Sequence, residues 1–293
     1  MHPVASVLAA GTALGLGTLG YSLWEAQSFR LRRSSVAVLP AGSPSLRLLH
    51  VSDIHLTTGQ RKKRAWLRDL GRLEPDLIVV TGDFISNAPA VPAVTADLAQ
   101  LLRRPGAFVF GSNDYFDARL KNPLRYLHRP SHPGQREPNL PTEELRRELT
   151  SDGWLDLNNH RGQLRVGGVR MSFIGVDDPH IRRDRIESVR GGFDPTADVR
   201  IGVSHSPYLR VLDAFAEEGA DLILAGHTHG GQVCLPGYGA LVTNCDLDRT
   251  RVKGISEYRG HLLHVSAGVG TNPYTPIRLA CPPEATLLTL TSR

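Results

Sequence analysis

The run Leu46-Arg-Leu-Leu-His-Val-Ser-Asp-Ile-His55 decides how the rest of the chain is read. Its first half is an apolar stretch of strand length. Its second half leaves that strand through Asp53 and His55, two residues apart and therefore on one side of an extended turn. The same arrangement recurs. LIVVT (Leu77–Thr81) runs into Gly82-Asp83, and AFVF (Ala107–Phe110) runs into Gly111-Ser112-Asn113-Asp114. VRIGVS (Val199–Ser204) ends at His205, and LILA (Leu222–Ala225) ends at Gly226-His227-Thr228-His229. Unbroken apolar runs such as LIVV read as strands covered on both faces. Helix-like stretches at Arg61–Leu70, Val94–Leu102, Glu143–Leu149 and Tyr208–Glu218 alternate with these and with further strand candidates at Val169–Val176, Leu262–Ser266 and Thr286–Leu290. Alternation of this kind predicts an α/β fold.

In a largely parallel sheet the carboxyl ends of the strands share one edge, so the polar clusters converge there although they are distant in sequence. A single histidine after a strand is most often an ordinary core or surface residue. Five ligand-type clusters at five strand ends are a different matter. Mixed Asp and His suit Mn, Fe, Zn or Co better than Mg or Ca. The supply exceeds the four ligands of one tetrahedral ion, which points to two ions. Glycines at 82, 111 and 226 allow the backbone to turn sharply beside them. The 3 cysteines, Cys234, Cys245 and Cys281, form no CxxC pair, which argues against a disulfide scaffold and a cysteine zinc module.

In order and spacing these clusters resemble the calcineurin-like metallophosphoesterase superfamily over roughly Leu46 to Leu290. The longer match GHTHGGQ at Gly226–Gln232 is similar to membrane-associated bacterial phosphoesterases, among them enzymes that cleave UDP-diacylglucosamine-type pyrophosphates. The resemblance implies a four-layer α/β/β/α sandwich with two mixed sheets. It assigns Asp53, His55 and His229 to one divalent transition-metal ion, His205 and His227 to a second, and Asp83 to both. The implied activity is hydrolysis of a phosphoester or pyrophosphate bond by a metal-bridged hydroxide, on a phosphorylated small molecule, a nucleotide or a lipid-linked substrate. One departure stands out. Where the family reads Gly-Asn-His followed by Asp or Glu, this chain reads Gly111-Ser112-Asn113-Asp114. Either Ser112 takes the place of the Asn ligand, or the loop shifts and Asn113 is the ligand; the better donor atom favours Asn113. The usual general acid is missing in both cases, with Asp114 or His180 of Asp177-Asp178-Pro179-His180 as replacements.

Before Trp24 the chain has no charged residue, and Val4–Leu23 is apolar enough in sequence to predict a membrane anchor over residues 1–24. Arg30, Arg32 and Arg33 follow it, which predicts a cytoplasmic catalytic domain. Residues 25–45 read as a connector and 46–293 as the metallophosphoesterase domain. Asn122–Pro141, with several prolines, His128 and His132, reads as a surface insertion. The net charge of +5 (34 basic, 29 acidic) favours anionic partners without naming one. Aromatic residues are only 6% and do not interleave with basic ones, which disfavours nucleic acid. Two other readings stand beside the hydrolase: a nucleotide phosphodiesterase, and a metal-binding scaffold without turnover.

Overall fold

A computed structural model describes residues 3–120 and 136–293, with side chains from residue 11 onward. Its helices are α1 (Pro3–Glu25), α2 (Arg61–Leu70), α3 (Val91–Leu102), α4 (Thr142–Ser151) and α5 (Leu209–Glu217). The strands of the first sheet are β1 (Arg30–Leu39), β2 (Leu46–Val51), β3 (Leu77–Thr81), β4 (Gly106–Val109), β5 (Leu155–Asp156) and β14 (Glu284–Ser292). Those of the second are β6 (Arg161–Val166), β7 (Val169–Gly175), β8 (Val199–Val203), β9 (Leu222–Ala225), β12 (Gly254–Tyr258) and β13 (His261–Val265). A short hairpin of β10 (Cys234–Leu235) and β11 (Gly239–Ala240) stands apart. The sheet orders are β1-β14-β2-β3-β4-β5 and β12-β13-β9-β8-β7-β6. Both sheets are mixed: β2, β3, β4 and β5 run parallel, as do β7, β8, β9 and β13, while β14, β12 and β6 each make an antiparallel pair.

The layers follow from which side chains each strand sends to either face. In β3, Leu77 and Val79 join an inter-sheet core with Leu48, Val109, Ile201, Val203 and Leu224. Ile78 and Val80 point the other way, into a core closed by α2, α3 and α4 through Leu67, Val94, Leu98 and Leu145. On the far side Ile223, Leu263 and Val265 pack against Val211, Leu212 and Phe215 of α5. Helix, sheet, sheet, helix is therefore the order of the layers. In α2 the buried residues are Lys63, Leu67 and Leu70, the i, i+4, i+7 stripe of an amphipathic helix.

Two expectations change. Residues 25–45 are not a connector, because Arg30–Leu39 forms an edge strand parallel to β14. Its partner comes from the other end of the chain, and three of its first four residues are arginines, so no local apolar signal marks it. Charged side chains on an edge strand also discourage further pairing. Residues 3–25 do form a helix, yet among the described residues no helix is long and apolar enough to cross a membrane. The end of α1 is tied to the domain instead: Ser22 and Glu25 are buried, Arg278 N donates to Ser22 O (3.0 Å), and Cys281 N donates to Glu25 Oε2 (3.2 Å). His128 and His132 of the surface insertion lie outside the described residues.

One polar contact crosses the inter-sheet core. His50 of β2 and His264 of β13 meet at Nδ1, 2.8 Å apart, and His50 Nε2 lies 2.9 Å from Thr81 Oγ1. Burial pushes His50 well down and holds His264 at about 4. An unfolded histidine titrates near ~6.5. As pH falls through that window the unfolded chain takes up protons that the folded pair refuses, so stability falls with pH. His264 alone contributes about 2 kcal/mol of loss between pH 7 and pH 5. The paired substitution His50→Leu with His264→Leu is expected to flatten this slope in urea melts; an unaltered slope would reject the account.

Candidate metal centre

The loops that leave β2, β3, β4, β8, β9 and β13 meet at one rim of the sandwich. Five of their side-chain bearers, Asp53 (φ 50°), His55 (46°), Asp83 (56°), His227 (69°) and His229 (50°), sit in the left-handed region. Non-glycine residues there cost of order 1–3 kcal/mol each and persist where tertiary structure imposes them. The packing around them leaves no room for larger neighbours. A Cβ on Gly111 would collide with Asp83 Oδ1 and come within 2.6 Å of the His205 ring. A Cβ on Gly226 would collide with Ser52 Oγ.

The side chains brought together form two overlapping sets of donor atoms, Asp53–His55–His229 and Asp53–Asp83–His205. Asp83 Oδ2 lies 3.3 Å from His55 Nε2 and 3.6 Å from His205 Nε2. His229 Nε2 is 3.6 Å from Asp53 Oδ1 and 3.3 Å from His55 Nε2. His227 Nδ1 faces His205 Nε2 at 3.3 Å. Asn113 N donates to Asp83 Oδ1 and its amide group reaches Asp83 Oδ2, both at 2.8 Å. All are buried except Asn113, which with Ser112, His180 and Asn244 lines the pocket over them.

These residues fit a cation. His205 Nδ1 donates to Thr81 O (2.6 Å), His229 Nδ1 to Gly270 O (3.1 Å), and His227 Nε2 to Asn244 O (3.2 Å). In the neutral rings of His227 and His229 the outward N–H leaves the inward nitrogen with a bare lone pair. His229 Nε2 faces the His55 ring, and His227 Nδ1 faces the His205 ring. Asp53 Oδ1 is buried with no hydrogen-bond partner among the described residues. Inward lone pairs beside an unpartnered carboxylate oxygen are a donor set that a cation would satisfy.

Burial keeps His55 at about 4 and pushes His227 and His229 well down, so these imidazoles are neutral, the form that ligates. Burial raises Asp53 to about 6. Burial acts on Asp83 in the same direction, but His205, His55 and the Asn113 hydrogen bonds outweigh it and hold the carboxyl below its ordinary value. For His205, burial is outweighed by Asp83, Asp178 and Asp53, which raise it to about 9.

Asp114, expected as a replacement acid, is placed elsewhere. It is fully buried behind the loop, and its oxygens accept from the backbone N–H groups of Asp83 (2.8 Å), Phe84 (2.7 Å), Ile85 (3.3 Å) and Gly111 (3.0 Å). It fixes the loop that carries Asp83. His180 does reach the pocket, its ring 4.4 Å from that of His227 and its Nδ1 3.1 Å from Tyr208 Oη.

Three supporting residues had no clear signal in the sequence. Ser52 Oγ donates to Asp53 Oδ2 at 2.6 Å. Lys63 Nζ donates to Ile54 O (2.7 Å) and His55 O (3.3 Å), and burial lowers it to about 7. Arg278, fully buried, donates to the carbonyls of Ala267 (2.7 Å), Gly268 (3.1 Å) and Gly270 (2.7 Å) and so braces the acceptor of His229. It is not among the residues that line the pocket.

A fold of two mixed sheets carrying Asp and His ligands at one rim defines a class, and comparison places the chain in it. The description "calcineurin-like phosphoesterase" matches residues 46–231, and the chain belongs to that family. It is similar to "uncharacterized metallophosphoesterase YkoQ" of Bacillus subtilis (strain 168), 27% identical over 258 residues (85% of this chain, 84% of the relative). It is also similar to "phosphodiesterase YaeI" of Escherichia coli (strain K12), 25% identical over 295 residues (98% and 96%). A third relative, "UDP-2,3-diacylglucosamine pyrophosphatase LpxG" of Chlamydia trachomatis, is 24% identical over 280 residues (83% and 83%). The chain is a metallophosphoesterase, a phosphoester hydrolase with buried groups that could hold a metal ion.

Proposed function

We propose that the chain hydrolyses a phosphodiester or pyrophosphate with two divalent transition-metal ions bound in the pocket. The observation that carries this reading is the pair of overlapping donor sets, Asp53–His55–His229 and Asp53–Asp83–His205, gathered at one rim. Asp53, His55 and His229 would hold one ion and His205 with His227 the other. Asp83, whose Oδ2 lies between His55 and His205, would serve both, with Asn113 completing the second set. Ions so held supply charge neutralisation for a phosphoryl group and a nucleophile from water at neutral pH. The chain's own residues orient the ligands: Thr81 O, Gly270 O and Asn244 O fix the imidazoles, and Asp114 holds the Asp83 loop.

The third cluster carries no histidine, and general acid assistance is typically worth ~10²–10⁴-fold. Good leaving groups lose least from its absence, which favours pyrophosphates and activated diesters over simple alkyl monoesters. A lipid-linked substrate agrees with the relative named as a diacylglucosamine pyrophosphatase. The exposed apolar side chains of α1, among them Leu14, Leu16 and Leu19, favour contact with a membrane surface. The altered third cluster also favours a second reading, a scaffold that binds metal without turnover. Hydrolysis of bis(p-nitrophenyl) phosphate with added manganese separates the two. The expected result is turnover abolished by a chelator and restored by the metal, with close to two equivalents bound. Metal binding without any turnover would leave the scaffold standing.

A further inference from the structure

A second cavity, about 450 Å³, lies beside the pocket and is used by nothing described above. Its apolar walls are Leu23 and Ala26 at the end of α1, Phe29 just beyond it, and Pro276. Arg61 and Lys62 form its basic rim, both exposed and neither in an ion pair among the described residues. They occupy the first turn of α2, which carries no acidic residue. Cations at the positive end of a helix dipole are unfavourable unless an anion joins them. The α1 wall is anchored by the hydrogen bonds of Ser22 and Glu25 to the segment around Arg278 and Cys281.

The cavity and the metal pocket share a party wall. Gly270 accepts from His229, Thr271 lines the cavity, and Asn272 lines the pocket. On the α2 side, Lys63 lines the cavity while holding the carbonyls of Ile54 and His55. The 270–272 peptide therefore borders both the cavity and the pocket. Outward from the cavity, the exposed Leu19 and Trp24 of α1 continue the apolar surface. The volume falls in the ordinary range for ligand cavities, and Gln27, Gln60 and Thr271 stand between the apolar walls and the basic rim.

We propose that this cleft receives the aliphatic tail of an anionic amphiphile whose phosphoryl head enters the metal pocket. The occupant must be both aliphatic and anionic, because the walls are apolar and the unpaired charges at the rim are positive. The assignment rests on the hydrolase reading above and names its substrate class.

The test is titration calorimetry of the full chain with dodecyl phosphate and with ethyl phosphate, each below its micellar concentration. Dodecyl phosphate is expected to bind one to one, at least thirtyfold tighter than ethyl phosphate. Ala26→Trp, which fills the cleft at a partly exposed position, should reduce that gap to under threefold. Lys62→Glu, on the exposed rim, should weaken dodecyl phosphate about tenfold. Equal affinities for the two phosphates overturn the proposal. So does a chain-length preference that both variants retain, since the tail then lies on the exposed face of α1. Hydrolysis of bis(p-nitrophenyl) phosphate is scored separately. Turnover with equal phosphate affinities refutes the cleft alone, whereas tail-selective binding with no turnover refutes the hydrolase reading and with it the cleft as a substrate site.

Discussion

Asp83→Asn is expected to strip the pocket of metal and lower turnover of a chromogenic phosphodiester by about 10³-fold or more, since metal charge stabilisation is worth several kcal/mol. The carboxylate sits at the centre of the ligands, with Oδ2 3.3 Å from His55 Nε2, 3.6 Å from His205 Nε2 and 2.8 Å from the Asn113 amide. An amide of the same shape keeps the packing but removes the negative charge that faces both halves of the site. Bound metal should disappear, and thermal melts of the metal-free protein should fall as well, because Asp83 is also the nearest counter-charge of buried His205. Metal content and rate both at the level of the unmodified protein would remove the basis for the mechanism.

Asp114→Ala should act differently, through the fold. Asp114 accepts from four buried backbone N–H groups, those of Asp83, Phe84, Ile85 and Gly111. Each buried donor left without a partner costs about 1–3 kcal/mol. Water entering the vacated space would satisfy some of them, so the net loss expected in urea unfolding is about 4 kcal/mol. Metal affinity should fall with it, because the loop that aims Asp83 loses its anchor. Asn113→Ala, a pocket-lining change, should cost far less stability. If Asp114→Ala kept full stability and lost only kcat, the carboxyl would be a participant in the chemistry rather than a strut.

The contrast between these two neighbouring acids shows where sequence reading reaches its limit. Asp53, His55, Asp83, His205, His227 and His229 stood out because each follows an apolar strand run. The first three leave strands of one sheet and the last three leave strands of the other, and the two edges meet at one rim. Asp114 follows such a run as well. Whether a carboxyl at that point faces the pocket or folds back onto backbone amides is a matter of a single turn, which spacing does not resolve. The same holds for Lys63. It stands in the basic run Arg61–Arg64, which reads as a solvated helix face, yet the helical period turns Lys63 inward while Arg61 and Lys62 stay exposed.

By itself the sequence determined the α/β class and the polar clusters at the strand ends, because apolar runs of strand length and polar residues at their ends are local patterns with a fixed period. Only the tertiary structure decided that Arg30–Leu39 completes the first sheet, that Asp114 and Arg278 brace the site from behind, and that a cleft between α1 and α2 adjoins the metal pocket. Those features depend on partners far away along the chain: the edge strand lies against residues 284–292, and the buried guanidinium lies under loops from three parts of the sequence. Their energetics arise from burial and hydrogen bonding that exist only once the chain has closed, and no local pattern encodes them.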